Sequence, residues 1–339
     1  MVRFLCLLLA VCAVACSGLS TLPTGTPATA AQNLSAGSGR SGPVRLWSDA
    51  SIFKLLGGLI ASAQSRVLVE VYELGRADLV QALVAARHRG LDVRVILDPT
   101  VGASRRSGVD LKRLGVAERA YPVDDAQHQI DHVKLLIADA DAVVGGMNWG
   151  AHSDRNHDYV LETRIQSVID RLVSIFEQDW ALAGGAPTPL AAVAGDVAQT
   201  APGDEIRAML ARVLGSARQR VLAEVYTLTD PAVIAGLAAA RRRGAEVRVL
   251  LDPNQPYNRH AYDLLKSAGV QVRWYPVPRG ALLHAKIGLF DGVLVLGSAN
   301  WTLSGLGVNH ELDIETRDPL AAAAYGSRFE SDWSRAAGG

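Results

Sequence analysis

Cysteine is nearly missing from this chain of 339 residues: three occur, at positions 6, 12 and 16, and none follows. A charge excess of either sign is missing too, with 34 basic residues against 34 acidic ones. A protein built to grip nucleic acid usually carries a basic excess, because phosphate neutralisation supplies most non-specific affinity. An even balance counts against that class while leaving a local basic groove open. No His-Glu-x-x-His helix is present, which removes the commonest single-helix zinc site. Lysine is scarce. Only Lys54, Lys112, Lys134, Lys266 and Lys286 occur, against 29 arginines.

What is there begins with an amino-terminal export pattern. Arg3 supplies a positive charge and residues 4–15 form an apolar run. The run has the length of a signal-peptide core and is too short to span a bilayer as a mature helix. It ends in Ala13-Val14-Ala15-Cys16, which resembles a bacterial lipoprotein signal with Cys16 as the lipidated first residue. Ordinary cleavage near Ala15 without a lipid stays open. After either cleavage at most Cys16 survives, so an internal disulfide is excluded. The expected organisation is a signal peptide over residues 1–15 and a flexible Ser/Thr/Gly/Ala/Pro tether over 16–42. A first domain follows over 43–185, a Pro/Ala/Gly linker over 186–203 and a second domain over 204–339. The expected location is the cell envelope, lipid-anchored through Cys16 or else periplasmic or secreted.

The two domains are copies of one another. Residues 67–72 (VLVEVY) recur as 221–226 (VLAEVY), 94–99 (RVILDP) as 248–253 (RVLLDP), and 176–180 (FEQDW) as 329–333 (FESDW). The register holds across about 150 residues, far beyond solenoid periods, so it means two tandem domains. Within each copy a β-branched run, a helical apolar pattern closed by glycine, and a second run stopped by proline read as strand, crossover helix, strand. That order makes the fold α/β with an at least partly parallel sheet. Residues 132–137 and 142–145 read as two further strands.

The chemistry lies in His132-Val133-Lys134 with Asp139, and in His284-Ala285-Lys286 with Asp291. Gly145-Gly146-Met147-Asn148 and Gly297-Ser298-Ala299-Asn300 follow, then Asn156-His157-Asp158 and Asn309-His310-Glu311. Residues two apart on a strand share a face, so each histidine projects with its lysine. A neutral imidazole is a competent nucleophile, and an ammonium beside it stabilises a phosphoryl anion. Asn148 and Asn300 add uncharged donors to the same oxygens. One half-site lacks an acid for the leaving group, and two facing half-sites supply both functions. Chance placement would give about 0.1 His-x-Lys triplets in such a chain. Two occur at equivalent places, each with a scarce lysine where a compact charge is wanted. The paired lysines also oppose a divalent ion in that pocket, so no catalytic metal and no cofactor are expected.

At these residues the sequence resembles the phospholipase D superfamily, whose motif is His-x-Lys-x4-Asp. The resemblance covers about residues 45–335. It implies two α/β/α sandwich domains related by a pseudo-two-fold axis, and a two-step, metal-independent mechanism through a phosphohistidine. It implies His132 as nucleophile and His284 as general acid. Lys134, Lys286, Asn148 and Asn300 would bind phosphate oxygens, helped by Ser298. Asp139 and Asp291 are expected among the catalytic residues, in a role more orienting than chemical, and Asp158 and Glu311 would accept from the imidazoles. The first copy departs from the family pattern at Gly146, where serine is usual, and at Asp158, where glutamate is.

The expected reaction is phospholipase D-type hydrolysis of a glycerophospholipid at a membrane surface, by a chain with no obligate protein partner that is expected to be monomeric. An exported nuclease and a cardiolipin-synthase-type phosphatidyltransferase remain alternatives with the same chemistry. Trp149 and Trp301 read either as lining the site mouth or as core. The Arg87-His88-Arg89 and Arg241-Arg242-Arg243 clusters end equivalent helices and read as helix-terminus cations.

Overall fold

A computed structural model describes residues 42–186 and 195–336. The export signal, Cys16 and all but the last residue of the tether lie outside the described residues, as do linker residues 187–194. The first half runs β1 (Val44–Ser48), α1 (Ser51–Ser62), β2 (Arg66–Val71), α2 (Ala77–His88), β3 (Asp92–Leu97), α3 (Gly102–Arg113), β4 (Ala117–Ala120), β5 (Lys134–Ala138), β6 (Asp141–Gly145), β7 (Tyr159–Thr163) and α4 (Gln166–Ala183). The second repeats it as β8 (Val197–Thr200), α5 (Glu205–Ser216), β9 (Arg220–Val225), α6 (Pro231–Arg242), β10 (Glu246–Leu251), α7 (Asn258–Ser267), β11 (Gln271–Trp274), β12 (Lys286–Phe290), β13 (Val293–Gly297), β14 (Glu311–Thr316) and α8 (Pro319–Arg335).

The sheets have the same order, β1-β7-β6-β5-β2-β3-β4 and β8-β14-β13-β12-β9-β10-β11. In each, the three strands joined by crossover helices are parallel and the rest antiparallel, so both sheets are mixed. The repeat is therefore legible down to strand order. Helices stop where the sequence said they would: Gly90 and Gly244 follow α2 and α6 with φ of 91° and 98°, a conformation that costs glycine nothing. Asp230 and Asp318 cap α6 and α8 through their side chains, each followed by proline, the favoured start.

Alternation along the central strands decides what faces what. Val67, Val69 and Val71 pack outward with α1 and α2, while Leu68 packs into a layer shared by both halves. That inner layer joins Leu68, Leu135 and Phe176 to Leu222, Leu289 and Phe329. The halves therefore share one core, and the described residues form a single compact unit. Period two also sends Glu70 and Glu224 inward, where both are fully buried.

The linker expected over 186–203 is shorter. Val197–Thr200 form β8 and pair antiparallel with β14 at the sheet edge, as β1 pairs with β7. Four residues are too few to show periodicity, and alanine and glycine neighbours masked the strand. No helix among the described residues is long and apolar enough to cross a membrane.

Candidate active site

Lys134 and Lys286 are the first residues of β5 and β12, and each histidine stands two residues earlier, at the end of the incoming loop. The strand expected from residue 132 starts at 134 because the preceding residues pair with the opposite half. His132 N donates to His310 O and His284 N to His157 O, both at 2.8 Å. These reciprocal backbone bonds fix each histidine against the other copy. Both imidazoles are 5% exposed, and the lysines 3% and 2%, so the charges act in a medium far less screening than water.

Each imidazole meets a carboxylate from the other half. His132 Nδ1 lies 2.9 Å from Glu311 Oε2, and His284 Nδ1 lies 2.7 Å from Asp158 Oδ2. An ionised carboxylate only accepts, so Nδ1 carries the hydrogen and Nε2 keeps the lone pair. Glu311 is held further by Ser298 Oγ at 2.6 Å and Asn309 Nδ2 at 3.1 Å. Burial alone would raise its pKa, yet His132, Lys134 and Ser298 keep it below the ordinary range.

Burial is the first cause depressing both imidazoles. His284 is brought to about 4, with Lys286 the second cause. His132 is also lowered, against the pull of Glu311. Each ring further feels the lysine of the opposite half, His132 from Lys286 and His284 from Lys134. The two motifs thus act in one field. Burial likewise pulls Lys134 down to about 7 and Lys286 to about 8. Lys286 Nζ sits 2.9 and 3.1 Å from the two nitrogens of His284, and each lysine donates to the carbonyl of its own histidine.

Asn148 and Asn300 follow β6 and β13, beside β5 and β12. The buried Oδ1 of each has no hydrogen-bond partner, so both copies leave an amide open at the same place. Ser298 does not face outward to bind substrate. It accepts from Leu312 N at 2.9 Å while donating to Glu311, so it positions the carboxylate. The two departures of the first copy are one coupled change. A Cβ on Gly146 would stand 2.5 Å from Asp158 Oδ1, so the shorter acid folds back into the space that Ser298 fills in the second copy.

Asp139 and Asp291 are not brought to the pocket. Both sit past the far end of β5 and β12 with φ of 52° and 55°. Asp139 accepts from the backbone of Gln64, Ser65 and Arg66 at 2.7–3.0 Å. Asp291 does the same for Arg218, Gln219 and Arg220. These bonds tie the hairpin turn to the start of the central strand, and their lowered pKa values reflect them. The role is structural: a five-residue strand carries the motif's aspartate about 15 Å from its lysine.

Trp149 and Trp301 are 2% and 1% exposed and pack in the outer cores, which makes them core residues. Arg87 and Arg241 donate to the carbonyls of Gly115 and Gly269, so the basic clusters tie helix ends to neighbouring loops. The sequence reading missed Tyr72 and Tyr226. Their rings lie 4.9 and 4.8 Å from His132 and His284, with the lysine ammoniums 5.1 and 5.2 Å away over the same rings. The repeated Glu-Val-Tyr was the available signal. A cavity of about 1120 Å³ flanks the site between the halves, lined by Gly150, Ala151 and Asn156 on one side and Asn254, Ala281 and Leu282 on the other.

Comparison with known proteins gives the family. The family described as cardiolipin synthase, PLD-like domain, matches residues 56–180 and again 210–333. Mitochondrial cardiolipin hydrolase of Xenopus laevis is 33% identical over 127 residues, which are 37% of this chain and 59% of that protein. The chain thus spans little more than half the length of that relative. Cardiolipin synthase A of Pseudomonas entomophila is 26% identical over 328 residues, 84% of this chain and 67% of that protein. Among solved structures, phosphatidylserine synthase of Haemophilus influenzae superposes with a TM-score of 0.69 at 13% identity, covering 86% of this chain and 85% of that one. That likeness is one of fold.

Proposed function

The chain belongs to the phospholipase D superfamily, and on that premise we propose that it hydrolyses a glycerophospholipid to phosphatidic acid and a free head group. The observation that carries this reading is the reciprocal pairing, His132 with Glu311 and His284 with Asp158, around two buried lysines. Both Nδ1 atoms are engaged, so Nε2 does the chemistry on each ring. Nε2 of His132 attacks phosphorus and the bond to the head-group oxygen breaks. His284 gives that oxygen a proton, leaving a phosphohistidine. His284, now neutral, takes a proton from water as the water oxygen displaces His132, and phosphatidic acid leaves with both histidines restored. Lys134, Lys286 and the Nδ2 donors of Asn148 and Asn300 hold the phosphoryl oxygens, where charge accumulates.

A lipid substrate is favoured over nucleic acid by the neutral net charge and by the lipid named in two of the relatives. Leu114, exposed at 41% and lining the flanking cavity, offers apolar contact at its rim. The purified protein, incubated with a phospholipid panel and with single- and double-stranded DNA, is expected to release choline, ethanolamine or glycerol. A His132→Ala protein should release none. Nicked DNA with untouched lipid would overturn the lipid reading. Cardiolipin made from phosphatidylglycerol would instead assign transfer to an alcohol, with the same dyad and a different acceptor.

Cys16, acylated after export, would hold the enzyme at its membrane substrate. Mass spectrometry of the mature amino terminus should find a diacylated Cys16. An unmodified Cys16 or a later start ends that part of the proposal.

A further inference from the structure

The duplication places a second histidine from each copy inside the other half, and the two placements are not equivalent. His157 enters the second half. Its Nδ1 lies 2.6 Å from Asp49 Oδ1, and its Nε2 lies 3.1 Å from Glu224 and 3.3 Å from Asp332. With carboxylates on both sides this ring is an imidazolium. Arg328 supplies a second cation, donating to Asp332 at 2.8 Å and pairing with Asp49 at 2.9 Å. Arg335 also pairs with Asp332, so three acids meet three cations.

His310 makes the converse entry into the first half, where the balance fails. Its Nε2 lies 3.2 Å from Asp179 Oδ2 and 3.5 Å from Glu70 Oε1. Asp131 adds a third carboxylate at the position where the second copy has Leu283. Ile175, apolar and buried in the shared core, stands where the second copy has Arg328. Both clusters hold three acids, but the first has lost the arginines, with Leu182 standing where the second copy has Arg335. Glu70, Asp131 and Asp179 are all fully buried. Neither oxygen of Glu70 accepts a hydrogen bond, nor does Asp131 Oδ2. Buried carboxylates without partners are costly.

The imidazole is oriented differently as well. His310 Nδ1 faces backbone carbonyls, Ala201 O at 2.6 Å and Thr200 O at 3.2 Å. A carbonyl only accepts, so one hydrogen is on Nδ1; without an ion Nε2 carries a second toward Asp179 Oδ2, and an entering cation would displace that proton and take the lone pair. That is how a metal-ligating histidine is held: one nitrogen tied to a carbonyl, the other to the ion. Nε2 of His310, a Glu70 oxygen and an Asp131 oxygen lie within 4.8 Å of one another. Ligands about 2.1 Å from a central ion stand roughly 3–4 Å apart, so a small inward movement closes the set.

We propose that Glu70, Asp131, Asp179 and His310 form a buried structural site for a divalent cation of the zinc or manganese class. One imidazole with carboxylates suits these ions better than calcium or magnesium, which prefer oxygen alone. The site is separate from the catalytic pocket. Adjacent residues on an extended segment face opposite ways, so Asp131 looks into this cluster while His132 looks into the pocket, and no lysine enters the cluster. The ion would clamp the incoming loop of the second half to β2 and α4 of the first. The second cluster, already charge-compensated, would bind none.

The test uses the full chain stripped with dipicolinate, then given Zn²⁺, Mn²⁺, Co²⁺, Ca²⁺ or Mg²⁺ singly. Elemental analysis after gel filtration should find a single ion per chain with zinc or manganese, and Tm should rise with free metal. The cobalt form should show visible absorption bands. Asp131→Leu, which copies the second half, should lose the ion. Glu70→Gln repeats the measurement if Asp131→Leu does not fold. Glu224→Gln, in the compensated cluster, should retain the ion. Absence of bound metal from the wild-type chain, with Tm indifferent to chelator and metals, would show that shared protons close the cluster and overturn the proposal. Retention of the ion by both Asp131→Leu and Glu70→Gln would do the same.

Discussion

His132→Ala is expected to lose turnover of every phosphodiester by at least about 10⁴-fold, while His284→Ala is expected to complete half a reaction and stop. The difference follows from what each ring must do. Nothing else in the pocket can replace a nucleophile, since the partner histidine is committed as the acid for the leaving group and the two lysines are engaged on carbonyls. Loss of His284 removes the acid and then the base. With an alkyl leaving group the acid is worth about 10²–10⁴-fold. With a p-nitrophenyl ester the leaving group departs unprotonated, so the first step survives. The expected record is a burst of nitrophenolate equal to the enzyme present, then near silence, with an acid-labile phosphoryl group on His132 by mass spectrometry. A phosphoryl group found on His284, with the burst given by His132→Ala instead, would reverse the assignment. Circular dichroism of both variants guards against simple misfolding.

That experiment tests a site whose parts were unequally visible in the sequence. His132, Lys134, His284 and Lys286 could be read because period two on a short strand is a local rule, and a scarce residue repeated at equivalent places stands out. The duplication could be read for the same reason, while the strand order within each sheet could not. Asp139 and Asp291 misled because neighbours in a motif need not be neighbours in space: a strand of five residues carries them to the opposite end of the hairpin. Glu311 and Asp158 were recognisable by type, but no local pattern says that each crosses to the other copy. The exchange is made by long-range backbone bonds, His132 to His310 and His284 to His157. Gly146 and Asp158 looked like two deviations, and only their 2.5 Å approach shows them to be one. Strand β8 was hidden by its length, and its pairing with β14 supplies the stability that its own sequence does not.

The second large effect is on pH dependence, and it arises because the acid starts without its proton. Burial, with Lys286 and Lys134, holds His284 at about 4, so the free enzyme at neutral pH has both rings neutral. The nucleophile is then ready and the acid is not. A phosphodiester brings one negative charge into the pocket. At about 4 Å and an effective dielectric near 20 it favours the imidazolium by about 4 kcal/mol, or about 3 pKa units. That brings His284 from about 4 to about 7 once substrate is bound. The profile of kcat/KM, which reports the free enzyme, should therefore peak below pH 6.5. Its acid limb is protonation of His132, itself lowered from 6.5. Its alkaline limb is loss of the His284 proton, with a fall of about tenfold per pH unit. The profile of kcat, which reports the complex, should be displaced upward by roughly 2–3 units. Lys134 and Lys286, near 7 and 8 when free, lose charge as pH rises further, so KM should climb on that side. Asp158→Asn removes the carboxylate that supports the His284 proton, and should draw the alkaline limb of kcat down in pH while leaving the His132 limb in place. A short-chain phosphatidylcholine kept monomeric gives both profiles without an interface. Coincident profiles of kcat and kcat/KM would mean that the anion does not reach the field of these rings, and substrate-assisted protonation would fail with it.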